Sequence, residues 1–220
     1  MQLDEGTLEL LVTNFIMADS YRNENPEIDA TNVFSISTLA YDPDAQVKWK
    51  FEKNKAPMNK DMFYGKAVHE FLQSRFQKMG YVSEMKLHYV IPFDWGIDKL
   101  QNIVLIGHVD LWHPFDGTLI EIKSSLWSDK ITDYMVRQVG TYAGILKQMN
   151  KPVSQVFVLK INSKINIHLL TDEEISNSLT EIENRAISVA NHLKTLIQLG
   201  QLEPISESEA VMKNLNRDTT

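Results

Sequence analysis

The chain has 220 residues, 22 Lys and Arg against 29 Asp and Glu, and no cysteine. A formal charge of −7 argues against a protein that coats nucleic acid by bulk charge, while leaving a local basic groove open. The missing thiols exclude disulfides, thiolate zinc sites, iron–sulfur clusters and a cysteine nucleophile. With 43% hydrophobic and 23% charged residues, the composition predicts one globular domain around one core. No window approaches the roughly 20 apolar residues of a bilayer span, and the start MQLDEGTLEL carries acids where a secretory signal carries Lys or Arg. A soluble, intracellular, cytoplasmic protein that does not engage a membrane is expected.

Residues 5 to 18 place Leu8, Leu11, Val12, Phe15 and Ile16 at helical spacing and predict an amphipathic helix. A polar loop follows. A short helix is expected over Ser35 to Tyr41, capped by Ser35 or Ser37 and stopped by Asp42-Pro43-Asp44. The stretch KWKFEKNKAPMNK holds five lysines between residues 48 and 60; it is read either as a solvated surface loop or as a nucleic-acid contact. Residues 61 to 79 predict a helix capped by Asp61 and ended by Gly80, with Gly65, His69, Leu72 and Phe76 near one face.

From Tyr81 the period becomes strand-like. YVSEMKLHYVIP, QNIVLIGHVDLW and GTLIEIKSS form three extended runs, and the tight HPFDG between the second and third predicts a hairpin. A helix is expected over about 130 to 149, then strands VSQVFVLKI and INIHLL, then a long helix from Thr171 to Leu199 opened by Asp172, Glu173 and Glu174. The tail after Pro204, residues 204–220, is expected to be flexible. The order predicts an α/β fold: a single-domain α/β sandwich with a small mixed β-sheet flanked by helices. One domain over 1–220 is expected, with 1–32 as an N-terminal helical extension and 33–200 as the core.

Four patterns carry candidate chemistry: Gly65-x-x-x-His69, Gly107-His108-Val109-Asp110, Glu121-Ile122-Lys123 and Gln138-x-x-x-Tyr142. On a strand Glu121 and Lys123 share one face, and Ile120 and Ile122 the other. Hairpin pairing would bring Asp110 beside Glu121. Two close carboxylates repel unless a proton or cation lies between them, and without thiols or a histidine cluster the fitting cation is a hard one, Mg²⁺ or Mn²⁺. Each pattern also has an ordinary reading. Glu121 and Lys123 can form a surface salt bridge, His69 can be a half-buried helical histidine, and Gln138 and Tyr142 can line a helix surface. His108 is a candidate ligand or supporting residue.

Taken together and in this order, the four patterns resemble the RecB-like branch of the PD-(D/E)XK nuclease superfamily, the branch that includes the CRISPR-associated exonucleases and AddB-type nuclease domains. FSISTLA is similar to the family's opening Ser-x-Ser-x-x-Leu element, and the resemblance covers about residues 33 to 200. It implies a restriction-endonuclease-like core in which His69, Asp110, Glu121 and the main-chain carbonyl of Ile122 bind one or two Mg²⁺ or Mn²⁺ ions. Lys123 would orient or deprotonate the attacking water or stabilise the phosphate, and Gln138 and Tyr142 would position the phosphate or strand. Many members carry four cysteines that hold an iron–sulfur cluster; with none here, ordinary packing must fasten the termini.

The implied activity is metal-dependent hydrolysis of DNA phosphodiesters, at ends or on single strands, in recombination, repair or CRISPR-related processing. The alternatives are a structure-selective endonuclease acting on branched DNA, or a catalytically inert DNA-binding subunit. Lys48, Trp49, Lys50 and Lys53 are candidate DNA contacts beside Gln138 and Tyr142. A homo-oligomer is a candidate assembly.

Overall fold

Strand β3 (Ile103–Trp112) is the hub of a six-stranded mixed sheet. Along one edge it pairs antiparallel with β2 (Val82–Ile91), from Val82↔Trp112 to Ile91↔Ile103. Its other edge is divided. β1 (Val33–Ser35) pairs parallel with Val104 to Ile106, whereas β4 (Thr118–Ser124) pairs antiparallel only at Leu111 and Trp112. β4 then leaves β3 and runs parallel to β5 (Gln155–Ile161), which pairs antiparallel with β6 (Ile165–Leu169). Between β1 and β4 the edge of β3 from Gly107 to Asp110 has no strand partner among the described residues. The structure, a computed structural model, describes residues 29–52, 60–125 and 128–217. The expected helix over residues 5 to 18 lies outside them.

The alternation of β4 sorts the layers. Leu119 joins a core with Phe34, Leu105, Val109 and residues of two helices, α4 (Asp133–Gln148) and α5 (Asp172–Gln198). Ile120 and Ile122 face the other way, onto Val68, Leu72 and Phe76 of α3 (Lys60–Gln77). The sheet is thus sandwiched between helices, the α/β sandwich that the element order predicts. None of the described helices is long and apolar enough to cross a membrane.

Helix α1 (Ile36–Tyr41) starts where the Ser35 side chain accepts a hydrogen bond from Thr38 N at 3.3 Å. Its last carbonyls take arginine donors: Arg137 Nη1 reaches Ala40 O at 2.7 Å, and Arg185 Nη1 reaches Leu39 O at 2.8 Å. The FSISTLA element is thereby locked to both α4 and α5. The long α5 opens on a capping box between Thr171 and Glu174.

Three expectations are corrected. Pro43 stops α1 but also opens α2 (Pro43–Glu52), because its missing N–H is no loss in a first turn; the KWKFE part of the lysine stretch is helix, not loop. The segment after Pro204 is not an unstructured tail: it forms α6 (Glu207–Arg217), whose Ala210 is buried against Ala30, Val33 and Ile106. The HPFDG turn is present, with Gly117 at φ 74 and Gly117 N on His113 O at 2.9 Å, yet the hairpin it joins pairs over two residues only, because β4 diverts to β5.

Candidate active site

The fork in the sheet explains how the site is assembled. Asp110 stands where β4 has left β3, and its Oδ2 accepts a 2.7 Å hydrogen bond from Ile122 N; the carboxylate takes over a bond that a continued ladder would have given to a carbonyl. Asp110 Oδ1 lies 3.4 Å from His69 Nδ1 on α3. That helix comes close to the sheet because Gly65 has no side chain: a Cβ there would sit 3.1 Å from Ser124 Oγ.

On β4, Glu121 and Lys123 point together toward α4. Lys123 Nζ is 2.8 Å from Glu121 Oε1 and donates to Gln138 Oε1 at 2.9 Å. Gln138 Nε2 donates to the same Glu121 Oε1 at 2.7 Å and lies 2.9 Å from Tyr142 OH. Both α4 residues are buried. Tyr142 fits against the sheet only because residue 107 is glycine; a Cβ on Gly107 would meet Tyr142 Cε1 at 2.6 Å. His69, Asp110, Glu121, Ile122, Lys123, Gln138 and Tyr142 are therefore brought into one connected network by four elements.

The electrostatics are those of a crowded anionic site. Burial, followed by the neighbouring Asp110, pushes the Glu121 carboxyl up to about 8, with Lys123 opposing. Burial works against the Lys123 charge, but Glu121 and Asp110 outweigh it and hold the ammonium above its ordinary range. His69 follows the same logic: burial is overcome by the Asp110 hydrogen bond and raises it overall. Tyr142 is kept well above the usual phenol range by burial and then by Glu121.

The residues fit a divalent cation on three counts. Glu121 is 1% exposed, and while its Oε1 is shared by Lys123 and Gln138, its Oε2 is buried without a hydrogen-bond partner, an expensive state for a carboxylate oxygen unless a cation takes it. His69, Asp110 and Glu84 offer ligand atoms all within 4.8 Å of one another. Carboxylate oxygens joined by one imidazole make a donor set that suits a divalent cation. His108 is not part of this group.

The basic stretch is placed differently. Lys50 is 7% exposed and donates to the main-chain carbonyls of Ala30 and Val33, with Phe34 beneath its ammonium; a lysine turned inward in this way does not face a passing strand. Lys48 is exposed on α2. The Trp49 side chain and all of Lys53 lie outside the described residues.

Two residues escaped the sequence reading. Glu84 on β2 had no marker, being one more polar residue on an alternating strand. Lys160 on β5 had one: with Val156 and Val158 it occupies the inward parity of the strand. It is 3% exposed, sits beside Lys123 in the β4–β5 register, and has no hydrogen-bond or ion-pair partner among the described residues. Burial and Lys123 lower its pKa.

No protein-family model matches the sequence, and no curated protein matches it either. Solved structures do. The chain is similar to the crystal structure of SSO0001, with TM-score 0.57 and 17% identity over 80% of this chain and 86% of that one. It is also similar to LHK-Exo, crystallised in complex with dAMP, with TM-score 0.52 and 13% identity over 81% of this chain and 98% of that one. At such identities the likeness shows the fold alone, an α/β sandwich around a mixed sheet.

Proposed function

We propose that this chain is a metal-dependent deoxyribonuclease of the RecB-like type that hydrolyses phosphodiester bonds at DNA ends or on single strands. The observation that carries the reading is the buried, half-unpartnered Glu121 beside Asp110 and His69, with Lys123 fixed on its other oxygen. His69, Asp110, Glu121 and the Ile122 carbonyl would hold Mg²⁺ or Mn²⁺. When bound, such an ion neutralises charge on the attacked phosphate and lowers the pKa of a coordinated water.

The chain's own groups do the rest. Lys123 keeps its proton, because Glu121 and Asp110 outweigh the effect of its burial, so its part is to hold positive charge against the phosphate oxygens as water attacks phosphorus and the P–O ester bond breaks. Gln138 fixes the rotamers of both Glu121 and Lys123 through one amide. Tyr142 closes the floor beneath Gln138 and keeps its proton, serving as a neutral hydrogen-bond partner. Lys160, beside Lys123, adds a second cation for the strand being cut.

Purified protein incubated with 5′- and 3′-labelled single- and double-stranded DNA and Mg²⁺ or Mn²⁺ should release labelled products, and Asp110→Ala should lower the rate by at least about 100-fold. Cleavage that persists in EDTA, or in the Asp110→Ala protein, overturns the mechanism. DNA binding without any cleavage assigns the chain instead to the inert DNA-binding class, and cleavage confined to branched duplexes assigns it to the structure-selective one.

A further inference from the structure

Helix α4 carries three side chains at four-residue spacing, Tyr134, Gln138 and Tyr142, which a helix sets along one face about 6 Å apart. Gln138 binds Glu121 and Lys123, and Tyr142 lies beneath it. Tyr134 is one step nearer the start of the helix, and it is among the groups whose charge acts on the Lys123 ammonium. Its ring meets the ring of Tyr41 at 5.3 Å between centroids and 85° between planes, an edge-to-face pair. The pair therefore stands beside Lys123, at the margin of the network that surrounds Glu121.

Tyr41 is the last residue of α1 and is 69% exposed. Its backbone is held all the same: the carbonyl before it, on Ala40, takes Arg137 Nη1 at 2.7 Å from α4 and Arg185 Nη1 at 3.3 Å from α5. With its stem fixed and one ring contact made to Tyr134, the exposed ring is ordered before any ligand arrives, which lowers the entropic cost of binding. The charges around it select the ligand. Asp42 and Asp44 follow Tyr41 in the chain, and Asp42 Oδ1 accepts from Asp44 N at 3.0 Å; two carboxylates disfavour a phosphate at this spot. An aromatic ring without a neighbouring cation takes a neutral flat partner, and in a nucleic acid that partner is a base. In a closed duplex the faces of the bases are already stacked, so only an unpaired base reaches the ring without first being pulled from the helix.

We infer that the Tyr41 ring, held edge-to-face by Tyr134, is a stacking platform for an unpaired base next to the phosphate that Lys123 faces, and that it directs the cleft to single strands and frayed ends. The inference rests on reading this cleft as a deoxyribonuclease site. Tyr41 is here a positioning residue: it holds the strand, and Lys123 and the carboxylates act on the phosphate.

The test compares full-length wild type with Tyr41→Ala, Tyr41→Phe and, as a control on another exposed aromatic, Phe115→Ala at the β3–β4 turn, where Phe115 is 89% exposed. Binding to labelled oligothymidylate and to a blunt duplex is read by fluorescence anisotropy in EDTA, and cleavage of both in Mn²⁺ gives KM and kcat. Tyr41→Ala should weaken single-strand binding by roughly 5- to 150-fold, the contribution of one base stacked on an aromatic ring. KM for the single strand should rise with it while kcat stays level, and duplex binding should not change. Tyr41→Phe keeps the ring and should behave as wild type, as should Phe115→Ala. In a series of oligonucleotides with one abasic position each, one position should cost the wild type the same factor and cost Tyr41→Ala nothing further. Circular dichroism melts establish that each variant is folded. Single-strand binding and KM unchanged in Tyr41→Ala, an equal loss on the duplex, a loss in Tyr41→Phe or an equal loss in Phe115→Ala overturns the platform and leaves the metal centre of Asp110 and Glu121 standing. A wild type that neither binds nor cuts any of these strands overturns both.

Discussion

At the scale of single residues, the site departs from what stability alone would select. Lys160 shows this most directly. Its side chain is 3% exposed and stands beside the like-charged Lys123 in the β4–β5 register, an arrangement that is unfavourable in the free protein and favourable once a phosphate arrives. Lys160→Met keeps the volume of the stem and removes the charge. The variant should melt at a higher temperature than the wild type while binding single-stranded DNA more weakly by about 1.5–3 kcal/mol, the contribution of a hydrogen bond to a charged group. A parallel fall in melting temperature and affinity would mean that Lys160 is structural. The same tension explains what was legible here. Asp110, Glu121, Lys123 and Gln138 stood out because spacing and strand parity force such residues onto shared faces. Glu84 did not, because its approach to Asp110 depends on one left-handed backbone angle that no residue type announces.

At the scale of elements, propensity and tertiary context divide the outcome. The long periodic helix, the three-strand run and the Ser35 cap follow from local rules, and their ends fall within a few residues of the expected ones. Helix α2 does not follow, because its lysines read as a solvated surface and one of them is its anchor. Lys50 ties α2 to the carbonyls of Ala30 and Val33 at the start of β1, and burial lowers its pKa to about 7, with Asp29 opposing. The unfolded chain holds that proton up to about pH 10.4, whereas the folded chain gives it up near 7. Between those values the unfolded state binds more protons, so the Lys50 contribution to stability rises with pH; below about 7 the lysine is charged in both states and the contribution is flat. Denaturant titrations from pH 7 to 10 should show the wild type gaining on Lys50→Met by up to about 1.4 kcal/mol per pH unit. Identical slopes for the two proteins would place the Lys50 ammonium in water.

At the scale of the whole molecule, a polar strap fastens the start of the described fold to its end in a chain that has no cysteine. Thr31 N donates to Ile205 O and Ile205 N donates to Thr31 Oγ1, both at 2.8 Å. Asn32 Nδ2 reaches Glu207 Oε1 at 3.0 Å, and Lys99 pairs with Glu209 at 2.9 Å. Beneath the strap, Ala210 completes an apolar cluster with Ala30, Val33 and Ile106. Glu209 also caps its own helix through Ser206, and the backbone bond to Ser206 followed by Lys99 holds its carboxyl down near 2, so the cap persists through mild acid. The strap ends on β1, whose partner is the first half of β3, and β3 delivers Asp110 at its other end. Removing residues 205–220 should therefore act at a distance. Loss of these hydrogen bonds and of the Ala210 contact should lower stability by roughly 2–3 kcal/mol, on the order of 4–12 °C in melting temperature for a chain of this size. Hydrogen exchange should quicken along Val33 to Ser35 and Ile103 to Ile106, while β4 and β5, held by their own seven-residue parallel ladder, stay protected. Uniform protection after truncation would show that the strap is ornamental and that β1 is held by the Lys50 anchor and the arginine-capped end of α1 alone.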